Sequence, residues 1–420
     1  MKSLTLSRGL SLSLPPVKEI KSIDEIEPPS KIVVPLKQHM GDECFPLVKK
    51  GKKVKKGELL AKNNITCLRS PVSGKVVEIK KKFPSLYNGW TQAIVLEKDE
   101  SDNSANIDFD LPLKGVLESG VIDCSSPYFP LLKKIEIAQQ KKVKSLLINS
   151  LEEFFILGSR ASLLNEGKDY IKKGIELICK ILPCEKVFLV VYKTILDYID
   201  LDFEGIEIIA AQPKHPIYKK NLILSGLLKK NLSFDLEPED IGYSIFDLET
   251  IYYLGKLAEE KIPYIEKVIT VSGADLREIK VLKVPIGTPI SWVLEQTKVN
   301  LEEVKKIVVN GPISGKAIFD IDYPITKEIN QIFVLKKEEL FSYSSRVCVK
   351  CGLCVDVCPM NLIPFMIAGY SESRNFELAK KNNILCCIEC GSCAFVCPVR
   401  IPLLQWIQMG KEELKKNSQT

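Results

Sequence analysis

The sequence predicts a multidomain chain of the α/β plus β class. It should hold an N-terminal barrel-sandwich domain, an α/β domain, a small β-grasp module and a mainly helical C-terminal domain. Three observations lead there. At 420 residues the chain exceeds one ordinary domain. Its hydrophobic pattern changes along its length, from short turn-rich strands to alternating strands and helices and back again. Nine of its fourteen cysteines fall between Cys348 and Cys397, so the C-terminal part is organised around them.

Composition narrows the class. Apolar residues make up 45% of the chain and its mean hydropathy is +0.05, as in soluble globular proteins. No apolar stretch approaches the ~20 residues needed to span a bilayer, and the best run, Val187 to Tyr192, reads as a buried strand. The N-terminal leucines resemble a signal peptide, but Arg8 interrupts them and no small-residue cleavage site follows, so a cytoplasmic protein is expected. The net charge of +6 is modest. Its densest patch, Lys49 to Lys56, reads as a solvated hairpin, with docking to an acidic protein or an anionic membrane as the sharper alternative. Aromatic residues are not interleaved with it, which excludes a nucleic-acid module.

Residues 1–30 form an N-terminal extension. Residues 31–100 carry two quasi-repeated pairs of short strands with turn glycines, the pattern of a biotinyl- or lipoyl-like barrel-sandwich. A carrier domain of that type needs a modifiable lysine at a hairpin tip. The corresponding stretch, Asn63 to Arg69, has none, so no swinging arm is expected. Over 112–255, strand-like runs at Ser145–Asn149, Val187–Tyr192 and Ile206–Ala210 alternate with helical ones such as Ser162–Leu182, predicting a partly parallel sheet. Residues 266–336 read as a β-grasp module with a helix near Pro289–Thr297, and 340–410 as the cysteine-bearing domain.

The cysteines carry the chemistry. Cys348-x2-Cys351-x2-Cys354-x3-Cys358-Pro359 and Cys387-x2-Cys390-x2-Cys393-x3-Cys397-Pro398 have one spacing. Three cysteines at intervals of three can wrap one iron–sulfur cube, and the fourth typically ligates the other cluster of a pair. Cys348, Cys351, Cys354 and Cys397 are therefore assigned to one [4Fe-4S] cluster, and Cys387, Cys390, Cys393 and Cys358 to a second. Gly352 and Gly391 fall where the backbone must turn tightly, and each proline turns the chain away after the fourth ligand. Zinc sites favour two CxxC pairs or histidine partners, and neither histidine, His39 or His215, is expected near these runs. Cys386 breaks the register and reads as a bystander, as do Cys44, Cys67, Cys124, Cys179 and Cys184. The linker between the runs suggests two helical segments, giving a helical dicluster ferredoxin-like domain.

The whole order resembles the RnfC-type subunit of the ion-translocating ferredoxin:NAD oxidoreductase (Rnf) complex. The resemblance covers roughly residues 8–408. It rests on Val34 to Gly41, the barrel, Thr270 to Gly273, Val284 to Pro289, Asn310 to Gly315 and both cysteine runs. The α/β part also resembles the flavin-bearing subunit of respiratory complex I, and the β-grasp part an SLBB module. The family implies peripheral attachment to a membrane complex at the inner face. It also implies FMN held by the α/β domain for exchange with NADH, its phosphate cradled by a glycine-rich loop ending in Phe-Pro.

Phe129-Pro130 matches that ending, but the loop before it is Asp123-Cys124-Ser125-Ser126-Pro127-Tyr128, without a glycine. The acidic segment after the next strand reads Ser150-Leu151-Glu152-Glu153-Phe154-Phe155 and matches only Glu152. The later Asn-bearing motif reads Asp247-Leu248-Glu249-Thr250, an acid replacing the asparagine. Three departures at one pocket predict that Asp123, Cys124, Ser125 and Ser126 do not bind FMN in the family manner. The expected function is electron relay through two [4Fe-4S] clusters with no catalytic side chains. The expected partners are ferredoxin, flavodoxin or a flavoprotein, and membrane subunits of an Rnf-like complex. The alternatives are a complete NADH-oxidising FMN/iron–sulfur subunit, a soluble adaptor for a dedicated reductase, and a scaffold with structural clusters.

Overall fold

The computed structural model describes residues 2–12, 19–86, 89–100, 103–125, 128–153, 158–230, 232, 236–273, 279–337, 340 and 347–417. Near the N-terminus, strands Lys31–Pro35, Gly89–Lys98, Gly74–Ser85 and Lys53–Val54 form an antiparallel sheet. Phe45–Pro46, Leu59–Lys62 and Cys67–Arg69 form a second sheet against it. Side chains alternate across each strand, so Ile32, Val34, Leu60, Val76, Ile94 and Leu96 meet in the closed interior. The turn at 63–66 is folded by Asn63, whose Oδ1 accepts from the N–H groups of Ile65 and Thr66 at 3.0 and 2.9 Å. The basic stretch from Lys49 to Lys55 is mostly exposed around its turn.

The middle of the chain builds a five-stranded parallel sheet ordered Lys2–Leu4, Ile206–Ala211, Lys186–Tyr192, Ser145–Asn149, Tyr243–Asp247. Its inner strands are nearly all apolar and buried, as a sheet covered on both faces requires. The helical run expected over Ser162–Leu182 is two helices, Ser159–Glu166 and Lys168–Ile181, broken at Gly167, where a Cβ would stand 2.7 Å from the Tyr252 ring. The order of connections reverses between Ser145–Asn149 and Tyr243–Asp247. The crevice beyond the carboxyl ends of those strands is where open α/β sheets receive ligands.

A six-stranded mixed sheet follows, ordered Lys316–Ile318, Val304–Val309, Gln331–Lys336, Glu266–Gly273, Lys280–Pro285, Ile23–Glu25. Glu266–Gly273 and Gln331–Lys336 run parallel side by side at its centre, and helix Ile290–Gln296 buries Ile290, Val293 and Leu294 in the same core. Lys2–Leu4 and Ile23–Glu25 thus join two different sheets. Between them Arg8 Nη1 donates to the Val355 carbonyl at 3.1 Å, and Leu10 exchanges backbone hydrogen bonds with His215 at 2.9 and 3.0 Å. The C-terminal part is helical: Leu353–Asp356, Pro364–Glu372, Phe376–Lys381, Ser392–Phe395 and Leu403–Asn417. The two helices expected between the cysteine runs are Pro364–Glu372 and Phe376–Lys381.

Candidate functional site

The eight cysteines surround two cavities. Cys348, Cys351, Cys354 and Cys397 line one, with Lys350, Phe365, Val399 and Leu403, around about 350 Å³ of empty space. Cys358, Cys387, Cys390 and Cys393 line the other, with Met360, Ile367, Leu404 and Ile407, around about 400 Å³. The fourth cysteine of each run crosses to the other run's cavity. The thiols stand around these spaces rather than converging on one point: among the described residues no three His, Cys, Asp or Glu side chains gather to hold a single ion.

Both runs wrap their cavities with one backbone. Lys350 and Glu389, each two residues after the first cysteine, are left-handed (φ 53° and 55°), and so are Gly352 and Gly391 (φ 84° and 77°). These turns aim N–H groups inward: Lys350 donates to Cys348 Sγ and Glu389 to Cys387 Sγ, both at 3.4 Å. At the far ends, Leu362 donates to Cys358 Sγ and Ile401 to Cys397 Sγ, again at 3.4 Å. A non-glycine residue in this conformation costs about 1–3 kcal/mol, so its recurrence at matching places marks a functional constraint. Burial raises the thiols of Cys354, Cys358 and Cys393, and pushes Cys387 up to about 12. Sulfur ligands bind iron as thiolates, so loading either cavity must release protons. Paired N–H donors, apolar walls and four sulfurs per cavity fit an iron–sulfur cube.

The surroundings of the two cavities differ. The second run is clamped. His215 Nε2 lies 2.7 Å from the Cys390 carbonyl, and a Cβ on Gly391 would meet the Ile313 carbonyl at 2.5 Å. Behind that loop the buried Glu153 carboxylate accepts from the N–H groups of Ile313 and Ser314 at 3.0 and 2.7 Å, and from Tyr218 Oη at 3.1 Å. The first run faces outward: Cys351 is exposed, and Val347, Val349 and Leu353 are 86%, 60% and 44% exposed. Sequence spacing gave no sign of His215 or Glu153, which reach the site only through the fold. Cys386 lines neither cavity.

The crevice of the parallel sheet is filled by the chain's own charges. Asp123 is buried; its carboxylate pairs with Lys134 Nζ, and accepts from Ser125 Oγ at 2.6 Å and from the Asp247 N–H at 3.2 Å. Arg160 Nη2 donates to both Asp247 oxygens at 3.0 Å and lies 3.5 Å from Glu249, while Arg160 Nη1 is 3.6 Å from Glu152. Lys267 and Glu249, fully buried, pair at 3.0 Å. Burial raises the carboxyls of Asp247 and Glu152, and Arg160 opposes it. The Cys124 N–H donates to Thr250 Oγ1 at 2.9 Å, and burial pushes the Cys124 thiol up to about 12. Ser126 lies outside the described residues, as do Pro127, Phe154 and Phe155.

Comparison with known proteins agrees with this layout. Residues 12–101 match the family described as the RnfC barrel sandwich hybrid domain, and residues 341–414 the 4Fe-4S dicluster domain. The C subunit of the proton-translocating ferredoxin:NAD(+) oxidoreductase complex of Clostridium ljungdahlii is 32% identical over 410 residues, covering 93% of this chain and 89% of that protein. The Na(+)-translocating counterpart of Acetobacterium woodii is 27% identical over 405 residues, covering 92% and 91%. Among solved structures, an NAD+-reducing [NiFe]-hydrogenase in its H2-reduced state aligns with 73% of this chain and 63% of its own, at 13% identity and a TM-score of 0.48. The chain belongs to the family of RnfC-type subunits of ion-translocating ferredoxin:NAD(+) oxidoreductase complexes, and its C-terminal domain is a 4Fe-4S dicluster domain.

Proposed function

We propose, on the premise of that membership, that the chain relays electrons for an Rnf-type complex through two [4Fe-4S] clusters and has no flavin site of its own. Cys348, Cys351, Cys354 and Cys397 would hold one cluster, and Cys358, Cys387, Cys390 and Cys393 the other. Bound there, each cluster takes up and gives back one electron. The chain holds the sulfurs in place, donates N–H groups to them from Lys350, Leu362, Glu389 and Ile401, and buries three of the four thiols at the second cavity. The observation that carries this reading is the pair of cavities, each lined by four sulfurs crossed between the runs.

Against a flavin stands the crevice chemistry. Asp123 places a carboxylate on Lys134 where the family loop would present N–H groups to a phosphate, and Arg160 is spent on Asp247 and its neighbours. The residues present do not fit FMN, and no step is routed through it. On this reading the α/β domain (112–255) is a degenerate flavoprotein-like unit. The central parallel pair of the mixed sheet supports an SLBB-like β-grasp module over 266–336. Among the described residues no helix is long and apolar enough to cross a membrane. The relatives' names, subunits of ion-translocating complexes, support assembly with other subunits; on this reading the chain attaches peripherally at the inner face of the membrane, with ferredoxin, flavodoxin or a flavoprotein as redox partner.

Iron, acid-labile sulfide and released flavin per chain, measured after anaerobic purification, test this reading. About eight irons without flavin is the expected count for two cubes. The same iron with one FMN would restore an NADH-oxidising role and overturn the flavin-free relay.

A further inference from the structure

The thiols of the first cavity are more exposed than those of the second, and that asymmetry says where a partner must sit. Around the exposed Cys351, the side chains of Val347, Val349 and Leu353 stand in water. Apolar surface gathered at one place, beside a group whose work requires close approach, marks an interaction site. The two segments that line this cavity, 348–354 and 397–403, carry Lys350 and Arg400 and no acidic residue. At the place of Lys350 the clamped run has Glu389, held inward by Lys411 and Gln408.

We propose that the loop Val347–Leu353, with Arg400 on its rim, is the docking surface for a small electron-carrier protein whose redox centre is ringed by carboxylates. This rests on the relay reading above. Val347, Val349 and Leu353 would be covered at the centre of the contact. Lys350 and Arg400 would steer an acidic face onto it, as charged rims accelerate encounter. One electron crosses the contact: the carrier is oxidised by one as the sulfur-held site is reduced by one, or the reverse. No bond or proton moves.

The test mixes anaerobic, cluster-loaded full chain with a chemically reduced acidic ferredoxin in stopped flow, across a range of salt. Lys350→Glu should lower the second-order rate on the order of tenfold at low salt, and the difference should shrink as salt screens the rim. Val349→Asp should slow the reaction at every salt concentration. Lys50→Glu, in the basic turn of the barrel, should leave the rate near wild type. Equal rates for wild type, Lys350→Glu and Val349→Asp would overturn the proposal, and so would an equal loss in Lys50→Glu, which would mean net charge alone steers. Self-association or binding to anionic vesicles that Val349→Asp abolishes, with ferredoxin rates unchanged, would assign the patch to a second copy or a membrane and also overturn it. Iron content and dithionite uptake of each variant separate the two readings. A wild-type chain that dithionite cannot reduce sinks the relay itself, whereas normal uptake with insensitive rates sinks only this surface.

Discussion

Lys350 and Glu389 occupy the same place in two loops that share cysteine spacing, left-handed turns and N–H to sulfur contacts. One loop is open to solvent. The other is pinned by His215, the 311–315 loop and the C-terminal helix. On the proposed ligation, local backbone geometry follows from the job of wrapping a cube, while exposure follows from what the rest of the fold brings alongside. The same motif written twice yields one site whose sulfurs are mostly buried and one whose sulfurs stand more open to solvent.

The strongest way to break the comparison is to remove a sulfur from each side. Cys351→Ala and Cys393→Ala should each lower iron from about eight to about four per chain. Only Cys393→Ala should also lower the thermal midpoint markedly, because it empties a clamped interior whose ligand binding is coupled to folding. Iron analysis with calorimetry checks both, and equal midpoints would mean that the clamp does not couple the second cavity to the body.

Acid offers the next largest effect and separates the barrel from both loops. His39 is buried, and burial with nearby Lys327 holds its imidazole down to about 4. The unfolded chain binds that proton near 6.5, so stability is intact above 6.5 and falls as pH drops toward 4, by about 3 kcal/mol in all. His39→Gln should flatten that slope in denaturant titrations. Any acid loss that persists in the variant belongs elsewhere in the chain.

Glycine substitution sharpens the contrast at a single atom. Gly352→Ala and Gly391→Ala both place a side chain at positive φ, at a cost of about 1–2 kcal/mol. Nothing lies within 4 Å of the new Cβ at Gly352, whereas at Gly391 it meets the Ile313 carbonyl. Gly391→Ala should therefore cost a further 1–3 kcal/mol or so, and shift the electron paramagnetic resonance signal of one cluster only. The smallest effect is at the paired charges. Glu389→Gln loosens Lys411 and Gln408 and should cost about 1 kcal/mol or less, while Lys350→Gln should leave the unfolding midpoint unchanged.

Much of this was legible from the residues. Quasi-repeated short strands with turn glycines marked the barrel, and continuous apolar runs marked Ser145–Asn149 and Lys186–Tyr192, because burial on both faces of a strand writes itself into the pattern. Cysteine spacing separated the quartets that line the two cavities, since a cube demands local triplets; their ligation of iron is the proposal made above. The strands Lys2–Leu4 and Ile23–Glu25 were not legible. Three residues carry no period, and their partners lie some two hundred residues or more away. Gly167 hid a helix break inside a strong helical pattern, because the constraint comes from Tyr252 on a neighbouring helix. His215 and Glu153 escaped for the same reason: one meets a backbone carbonyl and the other backbone N–H groups, and neither partner leaves a mark in the sequence.

Lys2–Leu4 forms the edge of the parallel sheet by pairing with Ile209–Ala211, the second half of Ile206–Ala211. During synthesis those first residues leave the ribosome about 200 residues ahead of their partner, roughly 10–40 s at ordinary elongation rates. When Ile206–Ala211 emerges, the segment that pairs with its second half, Ile209–Ala211, is already waiting, so that stretch of edge need never stand open to another nascent chain. The same segment carries Leu10, which pairs with His215, so the part of the clamp that His215 supplies is translated before either cysteine run.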